Sequence, residues 1–222
     1  MSRSTALPAS PRVGRAWSEF PFLYRALRAP VRGVLARWFG PHVEGTEHLP
    51  DRGPYLVAAN HHNYLVAIVL GVSVPAPIAF LVMPRVWRAT PLHPAFHRHV
   101  GSIPLQVDRA DVGALRRALA ALERGRVVGI FPEGPFSVRG RLERGLPGVA
   151  LLALRSGAPV VPVGIQGTWE ALRARRFYIP RPTPITVRFG RPRRFSSNGG
   201  SARAARRDVT EHIMADIAAL LP

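Results

Sequence analysis

Cysteine and lysine are both absent from this chain of 222 residues. Without cysteine there is no disulfide, no thiolate nucleophile and no Cys-ligated zinc. Without lysine there is no Schiff-base amine and no P-loop ammonium, and all 31 basic residues are arginine. Acidic residues are scarce, 13 in all, so the formal net charge is +18. The imbalance is uneven. Residues 1–40 hold seven Arg and one acid, and residues 171–207 hold eleven Arg and no acid. Residues 41–170 are nearly balanced, with thirteen Arg against nine acids, and residues 208–222 have three acids and no base. Two basic arms flanking a near-neutral centre suit phosphate groups, whether of nucleic acid or of an anionic membrane surface. An interleaved aromatic–basic motif and a reading helix are both missing, so a nucleic-acid partner is not expected. The N-terminus is rich in Ser, Pro and Arg and has no compact apolar run of the kind a secretory leader needs. Residues 63–84 carry no charge and are long enough to cross a bilayer. Gly71, Ser73, Pro75 and Pro77 interrupt that run, so it reads as a helix, a turn and a buried strand.

Apolar residues make up 47% of the chain, enough for one sizeable core. Residues 1–16 read as a disordered tail. From 17 to 40, Phe20, Leu23, Tyr24, Leu27, Val31, Val34, Leu35 and Trp38 recur at helical spacing, with Arg25, Arg28 and Arg32 beside them. Pro30 is expected to divide this segment into two short helices. An apolar, aromatic face edged by arginine suits a helix lying in a membrane interface. Beyond it, residues 41–222 form the main domain. Strands are expected at 42–45, 55–59, 78–83, 101–105, 127–131, 160–165 and 185–189. Helices are expected at 64–70, 92–99, from Asp111 to Arg124, at 148–155 and at 202–221. Asn60 or Asn63 would cap the first, and Val112, Leu115, Leu119 and Leu122 would form the inner face of the third. Strands that are continuously apolar and alternate with helices indicate an α/β sheet covered on both faces.

Polar clusters adjoin the buried strands. They are Asn60-His61-His62-Asn63, Asp108-Arg109, residues 131–137 (Phe-Pro-Glu-Gly-Pro-Phe-Ser), and Val161-Pro162-Val163-Gly164. Strand ends at one sheet edge converge, and ligands of open α/β folds sit there. The convergent set would hold an imidazole, a guanidinium, a carboxylate and glycine-rich backbone. Such a set can move an acyl group onto an alcohol that carries a phosphate. His61 would take the hydroxyl proton, Arg109 would hold the phosphate, and backbone amides near Gly134 would steady the oxyanion. His93, His97 and His99 lie close together but have no acid nearby in sequence. They read as surface or core-edge residues, and neither metal nor cofactor is expected. Trp169 reads as a packing residue.

In order and spacing, these clusters resemble the four blocks of the lysophosphatidic acid acyltransferase family. Those blocks are Asn-His-x4-Asp, Gly-x-Ile-x-x-x-Asp-Arg, Phe-Pro-Glu-Gly-x-x-Ser and Val-Pro-Val. The resemblance covers about residues 43–190, and the third block is the most specific. It implies a mixed, mostly parallel sheet of the glycerol-3-phosphate acyltransferase type, preceded by interfacial helices. It implies His61 as the catalytic base, with Asn60, Asn63, Asp108, Arg109, Glu133, Gly134 and Ser137 serving substrate. It also implies acyl-CoA or acyl carrier protein as donor and a lysophospholipid as acceptor. The place of work would be the cytoplasmic face of an anionic membrane, in phospholipid biosynthesis.

Two positions depart from the family pattern. The Asp expected five residues after His61 is Val66, which cannot orient an imidazole. In the serine-protease triad, loss of the equivalent charge costs about 10⁴ in turnover, a barrier rise of roughly 5 kcal/mol. Asn63, Asp108 or Glu133 would have to stand in. In the third block, Phe136 occupies a position where the family often has Arg; Arg139 or Arg141 could supply that charge, but both read first as surface arginines. A second reading therefore keeps the fold and loses the chemistry, leaving a lipid-binding member without turnover.

Overall fold

The computed structural model describes residues 21–106, 111–137, 139–172, 180–196 and 201–222. The expected tail at 1–16, the first residues of the helical segment from Trp17, and the Asp108-Arg109 pair lie outside these ranges.

The architecture grows from one short run. Tyr55–Ala59 is five consecutive apolar residues, and all five are buried. Only a strand covered on both faces accommodates such a run. It is β2 of a sheet whose other strands are β1 (His42–Glu44), β3 (Ile78–Val82), β4 (Ile103–Pro104), β5 (Val127–Ile130), β6 (Val160–Gln166) and β7 (Thr186–Phe189). Among the described residues these form one seven-stranded sheet in the order β1-β7-β6-β2-β5-β3-β4. The β6–β7 pair is antiparallel and the other pairs are parallel. The sheet is thus mixed and mostly parallel. Ala58 lies between Ile130 of β5 and Pro162 of β6. This register brings the ends of β2 and β5 out side by side.

Side chains alternate across β2 and divide the core in two. Tyr55, Val57 and Ala59 pack against α1 (Phe22–Phe39) and α2 (Tyr64–Ser73). Leu56 and Ala58 face α5 (Val112–Glu123), α6 (Gly148–Ser156) and α8 (Ala202–Ala218). Three short α-helices and one 3-10 turn (Thr46–His48) complete the described set, the former being α3 (Pro84–Trp87), α4 (His93–Val100) and α7 (Thr168–Ala171). Observed element ends differ from those expected by a few residues, as fraying termini do.

Two expectations are corrected. Pro30 does not divide the N-terminal segment: α1 is one helix with Pro30 inside it. Proline removes one backbone hydrogen bond and crowds one carbonyl. Here Arg28 on one side of it, and Leu35 and Phe39 on the other, are all buried against the domain, so tertiary contacts hold both halves in one helix. In α5, Val112 is exposed, and the buried stripe is Ala114, Ala118, Ala121 and Leu122. Alanines let the helix axis approach the sheet closely, while Leu115 and Leu119 pack from the flanks.

Leu122 is fully enclosed between α5 and the sheet. Leu122→Ala is expected to cost about 2–5 kcal/mol of stability, read as a lowered urea midpoint with an unchanged slope.

Candidate active site

The chain leaves β2 into four consecutive buried polar residues, Asn60, His61, His62 and Asn63. Buried polar groups must be paired, and these are. Asn60 donates from Nδ2 to the Ile165 carbonyl at 2.8 Å and accepts from the Ile165 amide at 2.8 Å. The end of β2 is thereby clamped to β6. Asn63 caps α2, with Oδ1 accepting from the Leu65 amide at 3.0 Å, and Nδ2 donates to the Thr168 carbonyl at 2.6 Å. The ring of His62 lies against Thr168 Oγ1, 3.0 Å from Nδ1, and meets the Trp169 ring edge-on at 6.3 Å. Burial pulls the His62 pKa down, and Glu170 partly opposes this.

The segment after β5 closes over His61. Glu133 is buried and spends both carboxylate oxygens on backbone. Oε1 accepts from the His61 amide at 2.6 Å and Oε2 from the Glu143 amide at 2.7 Å. Burial raises its pKa, while the two amides pull the other way. Ser137 donates its amide to the His61 carbonyl at 2.8 Å and its hydroxyl to the Arg141 carbonyl at 2.7 Å. Gly134 turns the chain at φ +77°, where a Cβ would meet Leu146 Cδ1 at 2.7 Å. Its amide donates to the Phe131 carbonyl at 2.9 Å.

The Gly134 carbonyl lies 3.1 Å from His61 Nδ1. A carbonyl oxygen only accepts, so Nδ1 carries the proton and Nε2 keeps its lone pair. The imidazole is stacked on Phe131, with centroids 3.8 Å apart and planes 9° apart, and Phe136 meets it edge-on at 4.5 Å. His61 is only 7% exposed. Burial lowers its pKa to about 4, against the opposing pull of the Gly134 carbonyl, and nearby His62 lowers it further. Val66 is fully buried in an apolar cluster that includes Val57, Val69, Leu70 and Val163. No carboxylate of the described residues reaches the His61 ring. Asn63 and Glu133, expected as stand-ins for the missing Asp, are engaged elsewhere, and Asp108 lies outside the described residues.

The acyltransferase family model matches residues 40–166, a span that runs from β1 to the end of β6 and includes residues 60–63 and 131–137 of the site. The chain belongs to the acyltransferase family. A chloroplastic 1-acyl-sn-glycerol-3-phosphate acyltransferase of Brassica napus is 31% identical over 138 residues, which cover 59% of this chain and 38% of that protein. A Bacillus subtilis protein of the same description is 24% identical over 149 residues, covering 65% of this chain and 72% of its own length. The chain therefore spans well under half of the plant relative. The solved 1-acyl-sn-glycerophosphate acyltransferase of Thermotoga maritima superposes with a TM-score of 0.72 over 89% of this chain and 79% of that one. At 22% identity, that likeness speaks for the fold.

In this acyltransferase His61 opens on a cavity of about 1630 Å³. That exceeds the ordinary size of small-molecule pockets, about 300–1,000 Å³. Its wall is mostly apolar, with Phe80, Val82, Met83, Phe96, Phe131 and Leu146 among the lining residues. Nε2 of His61 makes no hydrogen bond to a described residue, so the bare lone pair is left for a ligand. Asn60, Asn63, Glu133 and Ser137, expected to serve substrate, spend their polar atoms within the protein. Neither Arg139 nor Arg141 lines the cavity. His97 is stacked on Trp87 at 5.2 Å, His93 pairs with Thr90 at 2.7 Å, and His99 accepts from the Leu23 amide at 3.1 Å. The sequence reading missed Thr168, the Phe131–His61 stack and the Gly134 carbonyl. A backbone carbonyl leaves no trace in residue type, and the stack needs the β2–β5 register.

The low pKa of His61 has a linkage consequence. An unfolded imidazole takes up its proton near pH 6.5, and the folded one resists until about pH 4. The unfolded state thus binds more protons between these values, so stability is present above the window and is lost as pH falls through it. His62 and His97 share the direction. His61→Asn is expected to flatten the rise of stability with pH across that window by up to one proton, measured as a series of urea midpoints.

Proposed function

We propose that this acyltransferase moves a fatty acyl group from an acyl thioester, on coenzyme A or acyl carrier protein, to the free hydroxyl of a lysophospholipid. The favoured acceptor is 1-acylglycerol-3-phosphate, which becomes phosphatidic acid. One observation carries the reading: an imidazole with Nδ1 held by a carbonyl and Nε2 bare opens on a large apolar cavity. The names of the plant and bacterial relatives support the choice of acceptor.

In the proposed step, Nε2 takes the acceptor's hydroxyl proton as the oxygen attacks the thioester carbonyl. The tetrahedral intermediate then breaks its C–S bond, and the imidazolium returns the proton to the departing sulfur as a thiol. Gly134 takes over the orienting half of the missing carboxylate's work, fixing the tautomer through its carbonyl. It supplies a dipole instead of a full charge, so the imidazolium gains less stabilisation. With its pKa near 4, His61 stays neutral at neutral pH and keeps the lone pair on Nε2. Asn60, Glu133 and Ser137 act as positioning residues, since they fix the backbone on either side of His61. Because the amides of Gly134 and Ser137 already have carbonyl partners, the oxyanion is assigned to donors other than these two.

The same reading seats the protein on a membrane. Phe22, Leu27, Val34 and Trp38 of α1 are exposed, as is Ile68 of α2 beside them. No helix among the described residues is long and apolar enough to cross a bilayer. An apolar helix face edged by Arg25, Arg32 and Arg37 suits the interface of anionic lipid, on the cytoplasmic side where acyl thioesters are made. Replacing Phe22 and Trp38 by Ser is expected to weaken cosedimentation with phosphatidylglycerol vesicles while leaving the folded baseline unchanged.

A buried Val66 favours a second reading, a lipid-binding member without turnover. Formation of phosphatidate from lysophosphatidate and acyl-CoA separates the two. The native chain is expected to form product, and His61→Ala to lower the rate by about 10²–10⁴. Product that appears only after Val66→Asp would transfer support to the second reading.

A further inference from the structure

Arginines on the cavity wall differ in what they are free to do. Arg28 is buried beneath α1 and spends Nη1 on the Tyr24 hydroxyl and on the Gly71 and Val74 carbonyls, at the end of α2. Arg206 comes from α8, on the side of the sheet covered by α5 and α6. Arg85 is different. Its Cζ lies 5.7 Å from the centroid of the Phe136 ring, and that ring touches the His61 imidazole. The guanidinium therefore stands one aromatic ring away from the base. Arg85 is exposed and makes no hydrogen bond or ion pair with any described residue.

Its backbone is held firmly all the same. The Val86 and Trp87 amides both donate to the Met83 carbonyl, at 3.0 and 2.9 Å, and Trp87 stacks on His97. Among the described residues, Asp111 is the acid on the cavity wall. Its carboxylate accepts from the Gln106 and Ala114 amides at 2.7 and 2.8 Å and lies 3.8 Å from Arg117. It is thus committed locally and does not neutralise Arg85. The result is a fixed turn of helix presenting a fork of N–H donors that has no partner among the described residues, one ring away from the imidazole.

We propose that Arg85 binds the phosphate of the acyl acceptor and sets the preference of this site for phosphate-bearing lysolipids. The proposal rests on the acyl-transfer reading given above. A guanidinium matches a phosphate monoester with paired N–H···O bonds. A glycerol backbone links such a phosphate to a hydroxyl a few bonds away, which suits a cation and a base separated by one ring. Phe136 acts as the spacer: its face carries the cation and its edge meets the imidazole.

Steady-state kinetics on two acceptors test this. With 1-acylglycerol-3-phosphate, Arg85→Ala is expected to raise KM about tenfold or more, with a smaller effect on kcat. With monoacylglycerol, which lacks the phosphate, the KM effect is expected to vanish. Arg85→Lys should recover part of the loss, as a point charge replaces the fork. Equal losses on both acceptors, or an unchanged KM for the phosphate-bearing one, overturn the proposal. So does a loss that follows reduced binding to phosphatidylglycerol vesicles, because Arg85 would then serve the membrane instead of the acceptor. A binding arm separates this inference from the reading it rests on. In the native chain, lysophosphatidate should raise Tm more than monoacylglycerol does, and Arg85→Ala should erase the difference. Persistence of the difference in the variant overturns the role of Arg85. Absence of turnover in the native chain with that difference intact overturns the acyl-transfer reading alone.

Discussion

Glu133 receives the His61 amide on one oxygen and the Glu143 amide on the other, and the geometry of the site depends on that bridge. It ties the end of β2 to the segment that follows β5. With Ser137 donating back to the His61 carbonyl, both backbone polar groups of His61 are satisfied by that segment. The imidazole is thereby set between Phe131 and Phe136, with the Gly134 carbonyl in reach of Nδ1. Asn60 makes the matching clamp on the other side, to β6. Removing a partner from such a buried network leaves groups unsatisfied, at a cost of about 1–3 kcal/mol each.

The bridge also bears on what orients the imidazole, since the residue five positions after His61 is Val66. A buried apolar side chain stands there, within the cluster that joins α2 to the sheet. Orientation of His61 passes to a carbonyl on the turn that Glu133 anchors. Orientation and charge stabilisation are separable jobs, and a carbonyl does the first better than the second. The depressed imidazole pKa is consistent with this division, since burial disfavours the cation and no nearby carboxylate of the described residues offsets it.

Much of the fold was legible because the apolar runs are so plain. Tyr55–Ala59 can only be a strand covered on both faces, and the alternation of strands with amphipathic segments implies the layered sheet. Pro30 misled because a local helix breaker was overridden by burial on both sides of it. The stripe of α5 misled because leucine spacing was taken for the inner face, when alanines set the closest approach. At the site, the place of His61 at the end of β2 was legible from the strand-end motif. The hydrogen-bond partners of Asn60, Asn63, Glu133 and Ser137 were not, since residue type does not reveal whether a polar atom faces a ligand or a backbone amide.

By itself, the sequence determined the alternation of the main strands and helices, the absence of cysteine and lysine chemistry, the four polar blocks and the apolar residue at position 66. These are properties of residue type and spacing, which local hydrophobic period and covalent chemistry settle. Tertiary structure alone decided which atom orients the imidazole and which arginine stands beside it. The Gly134 carbonyl meets His61, and the Arg85 guanidinium meets the neighbouring Phe136 ring, from separate turns of chain. Only the parallel register of β2, β5 and β3 brings those turns together.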